Sequence, residues 1–364
     1  MPESSSTQAN NETESGDNAS EPSTAARYAM VLLQTLAPFF ALLCVVAAFG
    51  IANSFHDNSF LSAGSARLIG AASIKLGIAA LGMTLIIIAG GIDLSAGTCT
   101  SLCACVGALA FVSGWPLSLA IAAAVGTGFC AGAANGFLIS VLRLTPFIIT
   151  LGTMTIFLGI AKLIAGDGAK ISLGTGVETN GVMLPKLPEW FSSMTAWSKD
   201  LGWIAYPGLP NFGWGVYFTI GLAGVVALLL YRTVLGRYIF AIGSNEQTAK
   251  LCGIAVAPYK VLIYAIGGML FGLAGCVDLA FANQGDATSG IGLELGVIAA
   301  VVIGGGSLSG GRGSVIGTLC GVAIINTISQ GCTAMELDTQ VENILVGLII
   351  IIAVFVDRLR GSQA

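Results

Sequence analysis

The sequence predicts an all-α, polytopic membrane protein, on three observations. Hydrophobic residues make up 55% of the 364-residue chain and charged residues 9%, and mean hydropathy is +0.87, far from the balance of a soluble domain. The apolar residues fall in continuous runs rather than in alternation, which excludes a membrane β-barrel. At about 20 residues per crossing of a hydrocarbon core about 30 Å thick, the runs provide about ten transmembrane helices.

The formal net charge of −4 implies no nucleic-acid partner, because Glu3, Glu12, Glu14 and Asp17 all lie in the first twenty residues. Residues 1–26, rich in Ser, Thr, Asn, Glu and Ala, bury too little apolar surface to offset the entropy of ordering and read as a disordered cytoplasmic tail rather than a secretory signal. The transmembrane domain then occupies 27–360. Most of the nine cysteines lie inside apolar runs, where thiols act as small hydrophobes. Cys99, Cys103 and Cys105 lack His or acidic co-ligands at zinc spacings, so no metal site is expected.

Taken in order, the first span covers about 28–52, and a polar loop with the single histidine, His56, follows. The second, 68–91, contains Lys75 and ends in AGGIDLSAG (89–97). A short third (98–112) stops at Gly114, Trp115 and Pro116. The fourth (117–142) and fifth (147–165) are separated by Arg143 and Pro146. Segment 166–213 carries Trp190, Trp197 and Trp203 and predicts a short extracytoplasmic helix lying in the membrane interface. The sixth span is 214–230. The seventh (261–282) carries Asp278 near its end; the eighth is 293–304, the ninth 315–330, and the last (344–356) is short unless 341–343 join it.

Between the sixth and seventh spans lies a polar stretch, 231–260. Its basic residues Arg232, Arg237, Lys250 and Lys260 assign it to the cytoplasm, and the same rule puts Arg143, Arg312, Arg358 and Arg360 inside, with both termini cytoplasmic. Ser244 or Asn245 can cap a short helix there, with Glu246 at its positive end, Gly253 stopping it and Pro258 near the start of the next. A plain connecting loop accounts for those features equally well.

Laid over each other with an offset of 214, LGMTLIIIAGGIDLSAG (81–97) and LGVIAAVVIGGGSLSGG (295–311) share seven residues. Each is an apolar run broken by glycines (Gly90, Gly91, Gly97; Gly304, Gly305, Gly310, Gly311) and followed by a small-residue helix. Transporters use paired interruptions of this kind at membrane depth. Asp93 either caps the third helix or lines a pathway. The run 306–313 outlines a phosphate loop but has Arg312 in place of lysine and no hydroxyl residue directly after it, so no ATP hydrolysis by this chain is expected.

GGIDLSAG (90–97), NGFLISVLRLTPFIITLGTMTI (135–156), GRYIFAIGSNEQTAKLCGI (236–254) and AAVVIGGGSLSGGRGSVIGTLCG (299–321) together resemble the membrane permeases of the ribose-type branch of bacterial ABC importers, over roughly 30–360. The resemblance implies a type II-like importer permease with broken helices in the inner membrane, working as a homodimer or paired heterodimer. A cytoplasmic ATPase carrying ATP and Mg and an extracytoplasmic sugar-binding protein would serve it, with membrane lipid around it and no cofactor of its own. The loop 232–260 would be the coupling loop. Glu246, Gln247, Thr248, Ala249 and Gly253 match the family's pattern, although Gln247 and Thr248 depart from its paired alanines. Arg237 and Lys250 would meet the ATPase groove. A neutral polar cargo needs hydrogen bonds rather than countercharges, which points to Asp93, Ser95, Asn135, Ser307, Ser309 and Asn326. The acidic tail and the long 166–213 segment depart from the family. Nucleoside, polyol or autoinducer-like cargo fits the same architecture. An ion-coupled secondary transporter would instead need carboxylates buried mid-span, and a membrane enzyme would need a catalytic constellation that the chain lacks.

Overall fold

The computed structural model describes residues 24–54, 60–166, 168–174, 178–179, 182–183, 185–194 and 212–361. Most of the 1–26 segment, His56, Trp197 and Trp203 lie outside the described residues. The chain forms α1 (Thr24–Ser54), α2 (Ala63–Ile88), α3 (Ala96–Val112), α4 (Leu117–Ser140), α5 (Pro146–Ala165), β1 (Lys170–Ser172), β2 (Glu178–Thr179), β3 (Val182–Met183) and α6 (Glu189–Ser192). After these come α7 (Trp214–Arg232), α8 (Val234–Ser244), α9 (Glu246–Leu251), α10 (Val256–Ala282), β4 (Gln284–Asp286), α11 (Leu293–Ile303), α12 (Val315–Ala334) and α13 (Thr339–Gly361).

Among the described residues, seven helices are long and apolar enough to cross a membrane: α1, α2, α4, α5, α7, α10 and α12. The expected eighth span, α11, has 11 residues, about 16 Å of helix, too short to cross alone. It starts inside the molecule: a Cβ at Gly290, just before it, would lie 2.0 Å from the carbonyl oxygen of Gly97 in the first turn of α3. The last helix begins at Thr339, five residues before the expected final span, and its apolar part, Thr339–Phe355, falls among the shorter apolar helices. The expected interfacial helix is a single turn, α6; Trp190 is exposed beside Trp214, whose Nε1 donates to the Trp190 carbonyl at 2.8 Å.

The core is built on α2 and α10, and small residues let their neighbours approach. Gly128, Gly132 and Gly136 recur every fourth residue on α4 and face α10, where a Cβ at Gly132 would lie 2.1 Å from the Tyr264 carbonyl oxygen. This spacing of small residues brings two backbones into contact without side chains between them. Similarly, a Cβ at Gly82 of α2 would lie 2.8 Å from the Gly267 carbonyl of α10. Phe49 and Val45 of α1 pack on Ile324 and Ile328 of α12. Antiparallel β1 and β4 pair Lys170 with Asp286, a small ribbon that the apolar pattern did not forecast.

Candidate functional site

Both glycine breaks end their helices with the same backbone motif. At the end of α2, Gly90 N–H donates to Ile87 O and Gly91 N–H to Ile86 O, both at 2.9 Å; after α11, Gly305 N–H donates to Val302 O at 2.9 Å and Gly306 N–H to Val301 O at 2.8 Å. These crossed bonds satisfy the last carbonyls and require a left-handed residue, supplied by Gly90 (φ 78°) and Gly305 (φ 91°). The structural partner of Gly90 is therefore Gly305, one residue further along than the sequence overlay, which had paired it with Gly304. The second break is also longer, because α3 resumes at Ala96 whereas α12 waits until Val315.

The two breaks meet at one point. Gly311 N–H donates to Ile88 O at 2.8 Å, and a Cβ at Gly310 would lie 2.8 Å from Gly90 Cα. The end of α8 closes the knot: a Cβ at Gly243 would come within 1.7 Å of Ile88 O and 2.6 Å of Gly311 N. Backbone thus touches backbone in three elements that are far apart in sequence.

From that knot α8 leads directly into α9. Thr233 is extended and its Oγ1 accepts from Gly236 N–H at 3.1 Å, starting α8. Asn245, not Ser244, caps α9, with Oδ1 accepting from Thr248 N–H at 2.9 Å. Gly253 (φ 83°) ends it by the same motif as the breaks, with Ile254 N–H on Ala249 O at 3.1 Å. Glu246 is gripped by two lysines, accepting from Lys250 at 2.6 Å and Lys260 at 2.5 Å, and the hydrogen bonds from Lys250, then Lys260, hold its carboxyl below the ordinary glutamate range. A six-residue helix is unstable alone; two caps and two ion pairs fix this one.

These contacts redistribute the residues singled out in the sequence. Ala249 is buried against Ile242 and Val256, so it seats α9 on its own neighbouring helices rather than facing outward. Lys250 is engaged by Glu246, whereas Gln247, Thr248 and Arg237 are exposed. Sequence reasoning missed Leu251, an apolar side chain 88% exposed at the end of α9; an unpaired leucine closing a polar helix was the available signal. Beside α9, a cavity of about 400 Å³ brings Arg143 of the α4–α5 turn together with Glu246, Lys250 and Lys260.

The polar candidates divide into separate places. Asp93, Ser95 and Asn135 come together: Asp93 Oδ1 accepts from Ser95 N–H at 2.8 Å and Ser95 Oγ at 2.6 Å, and Asn135 Nδ2 donates to Ser95 Oγ at 2.8 Å and Asp93 Oδ2 at 3.3 Å. All three are buried, so they fasten the first break to α4. Asn326 instead ties α12 to α2, donating to Ser73 Oγ at 3.1 Å. Ser307 is buried within its turn, and Ser309 is exposed.

A second polar cluster was not anticipated as a site. Lys75 of α2 donates to Asp278 Oδ1 of α10 at 2.6 Å and to Ser289 O at 3.1 Å, and Ser289 Oγ donates to Asp278 Oδ2. Asp278 lies one turn before the end of α10. Nearby, Asp286 Oδ1 accepts from Thr288 N–H at 2.8 Å and Thr288 Oγ1 at 2.7 Å, the same local turn as Asp93 and Ser95. Asp93–x–Ser95–x–Gly97 and Asp286–x–Thr288–x–Gly290 are the legible trace of this likeness, and their glycines touch.

The family described as branched-chain amino acid transport system / permease component matches residues 67–354. The ribose import permease protein of Bacillus subtilis is 37% identical over 91% of this chain and 95% of its own length. The fructose import permease protein of Rhizobium meliloti is 32% identical over 88% of this chain and 84% of its own. The autoinducer 2 import system permease protein of Salmonella paratyphi B is 29% identical over 88% of this chain and 86% of its own. No solved structure gives a significant match. With a family match over most of its length and helices made to cross a bilayer, the chain belongs to the multi-pass plasma-membrane permease components of bacterial ABC importers.

Proposed function

We propose that this chain forms the translocation pathway of an ATP-driven importer for a small sugar, with ribose the first candidate because the ribose permease of Bacillus subtilis matches nearly its whole length. The observation that carries the reading is the continuity from α9 through α8 to Gly243, which lies on both helix breaks. A movement imposed on α9 reaches the broken helices through backbone contact, with no flexible side chain between.

In this reading the α9 end faces the cytoplasm, in keeping with Arg143, Arg232, Arg237, Lys250, Lys260 and Arg312. Gln247, Thr248 and Leu251 are the outward face that meets a separate ATPase, which holds the ATP and Mg and does the hydrolysis. Closure of that ATPase pulls α9, and the membrane halves exchange the side on which they open. A second permease copy and an extracytoplasmic sugar-binding protein complete the assembly.

The test is Leu251→Asp, measured for co-purification with the ATPase, for ATPase stimulation and for sugar uptake. Loss of all three with a normal amount of protein in the membrane is expected; a variant that retains full coupling removes α9 from this role. The buried Lys75–Asp278 pair favours a second reading, an ion-coupled transporter. Uptake that survives ATP depletion would decide for it.

A further inference from the structure

A cavity of about 400 Å³ opens between α2, the last two turns of α10 and the end of α12. Its walls include Lys75, Asp278 and Gln330, with Ala72 on one side and Phe281 on another. It is distant in the chain from the glycine knot and from every residue that the sequence marked as polar lining except Asn326, which lies one turn before Gln330 on α12.

Charged side chains in membrane helices face protein, water or a polar guest, since lipid cannot solvate them. Lys75 and Asp278 are packed against each other yet keep 21% and 10% of their side-chain surface open, and that surface borders this cavity. Lys75 spends two of its three donors on Asp278 and Ser289, leaving one N–H available. Asp278 accepts one bond on each oxygen and retains lone pairs. The Gln330 amide makes no hydrogen bond among the described residues. Phe281, 69% exposed, adds an aromatic face.

This set selects a guest by its chemistry. The ion pair is neutral as a unit, so a charged guest gains no net attraction. Donors and acceptors set around an apolar wall suit neighbouring hydroxyls on a compact carbon ring. The volume lies in the range of small-molecule sites, about 300–1,000 Å³. Occupancy would also be felt further in: Ser289 Oγ lies 3.3 Å from Ser101 Oγ of α3, which accepts from Gly290 N–H at 2.7 Å, where the approach to α11 crosses α3.

We propose that this cavity is a binding subsite for an uncharged, polyhydroxylated guest of monosaccharide size, with Lys75, Asp278 and Gln330 supplying hydrogen bonds and Phe281 the apolar face. The assignment rests on the importer reading, and deepens it by naming where the permease itself handles its cargo.

The test has two arms, both on the full chain in cells that also hold its transport partners. In the first, Gln330→Cys is treated with a membrane-impermeant thiol reagent, and labelling of that peptide is read by mass spectrometry with and without millimolar D-ribose or D-fructose. Labelling that either sugar slows supports the subsite. A position that never labels, or that labels at the same rate with both sugars, overturns it. In the second, uptake of both labelled sugars is measured for Ala72→Trp, which fills the cavity, and for the double variant Lys75→Met with Asp278→Leu, which removes both charges together and so strands neither. A fall of about tenfold or more at unchanged membrane abundance is expected in both. Parental uptake in the double variant overturns the proposal and makes the pair a fastening only. If uptake by the parent proves independent of ATP, the importer reading fails, and the labelling arm still judges the cavity on its own.

Discussion

The end of α2 and its middle are held by opposite means. At the Ile88 end the contacts are backbone on backbone, through Gly243, Gly310 and Gly311, with no charge involved. At the middle of the helix, Lys75 reaches Asp278 and Ser289 through a long side chain bordering a cavity. Close-packed backbone moves as a unit because there is nothing in it to re-rotamer. A side-chain network beside a cavity can exchange partners with a guest. One helix thus joins a stiff end to an adaptable middle, which under the proposed function would receive a mechanical input and handle a solute, respectively.

Substitutions at the two places should therefore differ in kind. The largest effect is expected at Gly243: even a methyl group would meet Ile88 O at 1.7 Å, so Gly243→Ala should cost about 3 kcal/mol or more and abolish uptake. Thermal unfolding in detergent reads the first and vesicle transport the second. Gly221→Ala on α7, where a Cβ meets nothing within 4 Å, should instead stabilise by about 0.5–1 kcal/mol; equal losses at both sites would erase the contrast.

At the adaptable middle, Asp278→Ala strands the Lys75 ammonium and should cost about 3 kcal/mol, the low end for a broken buried pair. The double variant Lys75→Met with Asp278→Leu should regain most of it in the same thermal assay. A double variant as unstable as the single one would mean that the pair itself, not the stranded charge, holds the helices.

Smaller effects belong to α9. Gly253→Ala must hold a left-handed backbone, φ 83°, and should lose about 1 kcal/mol, read as faster hydrogen exchange in α9. Lys250→Ala removes an exposed pair one turn away on the same helix and should cost only about 0.3–0.5 kcal/mol. Because Glu246 has its folded pKa lowered by Lys250 and Lys260, its contribution is fully present above the unfolded value of about 4.3 and fades as pH falls through the folded value. Exchange in α9 should thus be pH-insensitive between neutrality and about pH 5, after correction for intrinsic rates, and should rise in stronger acid. A rise already near pH 6 would show that another group controls the loop.

Much of the loop between α7 and α10 was legible in sequence because its signals are local. Asn245 and Gly253 act within a few residues of themselves, as Glu246 does toward Lys250, and cap and stop motifs depend on little else. The glycine repeat was legible for the same reason, although its register slipped by one: matching letters align Gly90 with Gly304, whereas hydrogen bonding aligns it with Gly305. The burial of Ala249 was not legible, since which side of a six-residue helix faces inward depends on what lies under it. Nor was the Lys75–Asp278 pair, whose members are 203 residues apart. Leu251 was overlooked because its one trace in sequence, an apolar residue closing a polar helix, is faint in a membrane protein until its exposure is known.

By itself the sequence determined the membrane class, the approximate span boundaries, the two places where helices break and the loop between α7 and α10. These follow from hydropathy, from glycine's access to positive φ and from helix capping, all of which act over a turn or two of chain. Only the tertiary structure decided that the two breaks and Gly243 converge, that Asp93 is closed off by Ser95 and Asn135, and that the charges at Lys75 and Asp278 border a cavity. Those outcomes depend on which helices pack together, and in a bilayer packing is chosen by shape and small-residue contact rather than by hydropathy, which is nearly the same on every face.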